Sequence, residues 1–149
     1  MVASPLLQGT GEEPEFPTRS ANGTDKPVMY ADKVRIGWDL ALSLRNAGDL
    51  NNSASRMYYA VFQAVLAYAV KKERFDREKH REKVHSEMKR VLKEAAARNK
   101  GWRDCYDDLR ELRNRADYDP EDVTASAFDL NIVHQSECIK NFFLNEVSK

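Results

Sequence analysis

An all-α fold, an up-and-down bundle of four to five helices behind a disordered N-terminal tail, is what this 149-residue chain predicts. Three observations carry that expectation. Apolar residues recur at three- and four-residue spacing through most of the chain, the period of a helix with one buried stripe. Strand-like alternation is scarce. Five prolines and six glycines fall largely outside the periodic stretches, where they punctuate helices joined by turns. The length suits one domain, with enough chain to bury a core without disulfides or metal.

Each element follows in order. Residues 1–28 are rich in Gly, Pro, Ser, Thr and Glu and hold no sustained period, so they read as a flexible tail, with residues 29–149 as the helical bundle. From Tyr30 onward Val34, Trp38, Ala41 and Leu44 mark a first helix, ended at Asn46-Ala47-Gly48, where Gly48 can adopt the left-handed conformation. Asn51, Asn52 and Ser53 offer cap side chains to a second helix. That helix runs through Ala54, Met57, Tyr58, Val61, Phe62, Val65, Leu66 and Ala69, apolar over more than one stripe, and so is expected to be central. Val84, Met88, Val91 and Ala95 mark a third, ending near Asn99-Lys100-Gly101. Trp102, Tyr106, Leu109, Leu112 and Ala116 mark a fourth, stopped by Asp119-Pro120 because proline disfavours a helical residue before it. Thr124 is placed to cap a fifth, with the stripe Phe128, Ile132, Ile139, Phe142 and Phe143.

Formal net charge is zero, but the charges are partitioned. Between Lys71 and Lys93 ten basic residues stand against five acidic ones, while from Arg103 to Lys149 six basic residues face eleven acidic ones. The basic stretch is either a solvated helix face or a surface for phosphates. No apolar run approaches the roughly 20 residues of a membrane span, and a basic, then apolar leader is absent, which makes the cytoplasm the expected compartment. Cys105 and Cys138 lack metal-type spacing and fall within helical stretches, so free thiols are expected. There is no H-x3-H or C-x-x-C arrangement, no Gly-rich phosphate loop and no G-x-S-x-G elbow, hence no metal and no cofactor are expected.

Two segments place charge where a bundle would bury it. In Ser53-Ala54-Ser55-Arg56-Met57-Tyr58-Tyr59-Ala60 an arginine and paired tyrosines sit within the most apolar helix, and burying them demands partners. In Leu112-Arg113-Asn114-Arg115-Ala116-Asp117-Tyr118, Arg113 continues the stripe of Trp102, Tyr106 and Leu109, and Asp117 lies one turn further on, able to hold it. Two readings of Arg56, Tyr59, Arg113 and Asp117 stand side by side: a polar network that fixes how two helices pack, or a ligand-facing groove. Of the three histidines, His80 lies in the basic loop, His134 on the fifth helix and His85 beside the inward position Val84.

The order of these segments, with Lys83-Val84-His85 between them, resembles the HEPN superfamily over about residues 30–147. The resemblance implies a bundle that dimerises, frequently encoded beside a minimal nucleotidyltransferase in toxin–antitoxin pairs. Active members are metal-independent ribonucleases with an R-x4-6-H motif. Carried over, Arg113 is the motif arginine and Asn114 the polar residue, while Tyr118 occupies the histidine position, giving Arg113, Asn114 and Tyr118 as candidate catalytic residues. His85 matches a family position, and with Arg56, Tyr59, Arg113 and Asp117 it completes the candidate nucleotide- or RNA-binding set. Metal-free RNA cleavage needs a base that takes the 2′-hydroxyl proton near neutral pH, which suits histidine and not a tyrosine of ordinary pKa near 10. Arg113 and Asn114 remain suited to clamp a phosphate. The expectation is therefore a HEPN-like module that binds a nucleotide or RNA phosphate with a nucleotidyltransferase partner. The alternatives are a toxin ribonuclease with an altered motif and a non-catalytic dimerisation or interaction module.

Overall fold

A computed structural model describes residues 25–149 apart from 74, 80 and 96–98. His80 and the tail up to residue 24 lie outside the described residues. The elements are α1 (Asp25–Asn46), α2 (Leu50–Glu73), a 3₁₀ turn (Arg81–Lys83), α3 (Val84–Ala95), α4 (Lys100–Tyr118) and α5 (Leu130–Ser148). Helix α1 starts at Asp25 rather than at residue 29, and Pro27 sits in its first turn, where a missing backbone N–H leaves no bond unmade.

The α1–α2 turn follows from its glycine. Gly48 has φ of 86°, and its N–H donates to Arg45 O at 3.0 Å while the N–H of Asp49 donates to Leu44 O at 2.9 Å, the Schellman closure. That closure puts Asp49, and not Asn51, Asn52 or Ser53, at the start of α2. Asp49 Oδ1 accepts from the Asn52 backbone N–H at 3.3 Å, and Oδ2 from the Asn52 side chain at 2.8 Å. Freed from capping, Asn51 bonds Asp122 at 3.0 Å and the Val123 N–H at 2.8 Å, and Ser53 Oγ donates to Ala41 O at 2.6 Å.

Two further starts differ from expectation. Gly101 lies in the first turn of α4 rather than closing α3, and a Cβ there would come within 3.2 Å of Gln135 Oε1. Thr124 caps a turn, accepting from the Ala127 N–H at 3.2 Å, and α5 is capped by Asp129, which accepts from the Ile132 N–H at 3.0 Å. The turn delivers Phe128 to the core, fully buried, before the helix begins.

Helix α2 is central and packs against all four other helices. Its 24 residues span about 36 Å at 1.5 Å per residue. Met57, Tyr58, Phe62 and Leu66 of α2, Met88 and Leu92 of α3, Tyr106 and Leu109 of α4, and Ile139 and Phe143 of α5 are fully buried. Each such aliphatic or aromatic side chain contributes about 1.5–3 kcal/mol by leaving water. On the other side α1 lies along α2, close enough that a Cβ on Gly37 would sit 3.9 Å from Ala60 Cβ. Among the described residues α1 touches α2 and α5 but neither α3 nor α4. Cys105 and Cys138 are free thiols, the first buried. No helix among the described residues is long and apolar enough to cross a membrane.

Candidate functional site

The seam between α2 and α4 gathers most of the polar residues singled out above. Arg113 is 7% exposed, as its place in the Tyr106, Leu109 stripe requires. Its Nη2 donates to Tyr59 Oη, its Nη1 to Asn114 Oδ1 at 3.1 Å, and its Nε lies 3.1 Å from Asp117 Oδ2. The guanidinium carbon sits 5.1 Å from the Tyr59 ring centre and 5.5 Å from that of Tyr118, so the cation lies against two aromatic faces. Ser55 Oγ, one turn before Tyr59, reaches Asp117 Oδ2 at 3.5 Å. Burial raises the Asp117 pKa above the ordinary carboxylate value, against the lowering influence of Arg113 and of the Ser55 hydroxyl. Burial likewise raises the Tyr59 hydroxyl.

A second cluster adjoins the first through the Tyr58–Tyr59 ring contact, centroids 5.3 Å apart. Tyr58 Oη lies 2.7 Å from His85 Nδ1 and 3.3 Å from Tyr106 Oη. The three groups form one hydrogen-bonded chain, Tyr106 to Tyr58 to His85, in which the buried hydroxyls and the ring nitrogen partner one another. The His85 ring also packs on Phe62, with centroids 4.8 Å apart. Burial first, then the positive charges of Arg110, Arg113 and Arg77, lowers the His85 pKa from 6.5 to about 4. His85 is therefore neutral at physiological pH.

Of the residues named from sequence, Arg113, Asn114, Asp117, Tyr118 and Tyr59 meet in one cluster, and His85 joins through Tyr58. Arg56 stands apart on the neighbouring face of α2, half-buried, its guanidinium pKa lowered by desolvation and without a hydrogen-bond or ion-pair partner among the described residues. His134 lies on exposed α5 surface beside Cys138, 3.8 Å from its sulfur. Tyr58, Tyr106, Ser55 and Arg110 belong to the site although their spacing marks them only as core or surface. The available signal was the four- and three-residue stepping of Tyr106, Arg110, Arg113 and Asp117 along one face of α4.

The HEPN domain family model matches residues 38–142, most of the chain and all of this cluster. The chain belongs to the HEPN domain family. Neither curated proteins nor solved structures give a significant match. In this HEPN domain the Arg113 guanidinium is spent on Asp117, Tyr59 and Asn114, and the Tyr118 ring lies against that same arginine and is 59% exposed. Outside the Arg113 cluster stand two further arginines of these helices, the half-buried Arg56 on α2 and the exposed Arg110 on α4, whose charge acts on His85.

Proposed function

We propose that this HEPN chain binds the phosphate of a nucleotide or of RNA through arginines beside the α2–α4 seam, as the helical partner of a nucleotidyltransferase in a toxin–antitoxin or defence system. The observation that carries the binding half is Arg56, half-buried and desolvated with neither a carboxylate nor another hydrogen-bond acceptor against it among the described residues. An oxyanion suits such a cation, and arginine meets phosphate with two parallel N–H donors. The partner half, the homodimer and the cytoplasmic setting rest on the habits of the family. Binding is favoured over cleavage because Tyr118 stands at the motif histidine position, while the His85 Nδ1 is already engaged by the Tyr58 hydroxyl at 2.7 Å.

The test is a joint binding and cleavage assay with single-stranded RNA and free nucleotides. Expected is binding that weakens as salt rises, with intact RNA recovered. Cleavage by the wild type that disappears in a folded Arg113→Ala variant would establish the ribonuclease reading instead. Absence of both binding and cleavage would leave the bundle as an interaction module.

A further inference from the structure

Helix α5 carries two stripes of opposite character. Ser136, Ile139, Phe143 and Val147 face inward and are buried. On the other side of the helix Asn131, His134, Cys138, Asn141 and Asn145 recur at steps of three, four, three and four residues, the spacing that aligns side chains into one row. Cys138 is half-buried and the other four are exposed. None of the five is charged, although 32% of the chain is. The outer face of a surface helix is ordinarily its most charged one, so this row lacks what exposure to solvent alone would put there.

Near the centre of the row sits a pair of metal-binding side chains. Cys138 is a free thiol, and its Sγ lies 3.8 Å from Nε2 of His134, one turn earlier. A tetrahedral zinc ion about 2.3 Å from sulfur and about 2.0–2.1 Å from nitrogen holds those two donors about 3.5 Å apart. The pair already stands close to that bite. Its H-x3-C spacing does what H-x3-H does on a zinc-binding helix, with a thiolate as the second donor. Two donors do not close a zinc site, and among the described residues no third histidine, cysteine or carboxylate joins them.

We infer that His134 and Cys138 form half of a zinc site, completed by the same two residues of a second copy of this chain. Two α5 helices laid antiparallel and centred at the level of Ser136 bring each His134 opposite the other copy's Cys138, and each Asn131 opposite the other copy's Asn141. That register gathers two imidazoles and two thiolates about one two-fold axis and sets amides able to pair with each other along the same row. Each thiol releases its proton to solvent on binding, and each imidazole supplies the lone pair of Nε2, so two thiolates balance the charge of the divalent ion. An uncharged row suits such a contact, because no like charges meet across the axis. The inference is independent of the phosphate-binding reading.

The experiment titrates cobalt(II), a spectroscopic substitute for zinc, and then zinc itself into the full chain kept reduced and stripped beforehand with a chelator. Expected are the visible bands of tetrahedral cobalt with a sulfur-to-metal charge-transfer band, saturation at one ion per two chains, and loss of the cobalt spectrum when zinc is added. Sedimentation with zinc should give at least twice the mass found after chelation, whatever assembly the chain forms through other faces. Cys138→Ser and His134→Gln, each first checked for wild-type helicity, should both lose the tetrahedral spectrum and the rise in mass. Folded Cys105→Ala, which removes the other thiol, should keep them. Saturation at one ion per chain with unchanged mass would overturn the shared site, as would the full spectrum in folded Cys138→Ser or the absence of cobalt and zinc binding by wild type.

Discussion

Arg113 illustrates how one buried cation is distributed over several weak partners. Replacing it by lysine keeps the charge but cannot reach Tyr59, Asn114 and Asp117 together, since an ammonium is a point donor and a guanidinium a fork. Arg113→Lys is expected to lower stability by about 2 kcal/mol, read as a shift in denaturant midpoint at unchanged slope. His85 makes a separate prediction. Its folded pKa is depressed to about 4 from 6.5, so the stability it supplies is present above 6.5 and is lost as pH falls through 4. For a partly exposed ring, solvent screening leaves about 1–2 kcal/mol of that effect. Asp117, whose pKa is raised, acts with the opposite sign and favours the folded state as pH falls, so the comparison must be between proteins. Wild type should lose more stability between pH 6.5 and 4 than His85→Gln, and equal losses would show that the ring is not held neutral by the fold. The Arg113–Asp117 contact was legible from spacing alone. Tyr58 and Tyr106 were not, because a tyrosine in an apolar stripe packs like phenylalanine until its hydroxyl's partner from another helix is known.

Helices α1 to α4 were legible over most of their length, and the misplacements cluster at helix starts for one physical reason. Asp49, Asn51, Asn52 and Ser53 all have side chains able to cap, and the choice among them is made by the register of the Schellman turn at Gly48 rather than by residue type. The same competition gave α5 its cap at Asp129 and left Thr124 to a turn, because Phe128 had first to reach the core. Asp49→Ala should therefore cost about 1 kcal/mol, a fall of about 4 °C in thermal midpoint. Asn51→Ala tests a different bond, the tie from α2 to Val123, and should loosen the 119–129 segment, measured as faster amide exchange at Val123. If Asn51→Ala instead frayed the first turn of α2, the assignment of the cap to Asp49 would be wrong.

At the scale of the whole molecule, composition alone draws the dispensable tail to residue 28, whereas α1 starts at Asp25 and Tyr30, Ala31 and Val34 are buried in the core. Deleting residues 1–24 should leave the thermal midpoint nearly unchanged, and deleting 1–34 should lower it sharply. A large fall with the shorter deletion would mean that the N-terminal segment docks on the bundle. The position of α2 also bears on how the chain reaches its native state. Every other helix packs on α2, and its nearest neighbour in sequence, α1, is joined to it by the tight turn at Gly48. Pairing α1 with α2 closes the shortest loop in the bundle for a long apolar interface, so that hairpin is where the folding transition state should be structured. Conservative truncations facing the hairpin, such as Val61→Ala, should then slow folding, while truncations in α3 such as Val91→Ala should mainly speed unfolding. The same helix on which the whole bundle packs would on this account set its clock.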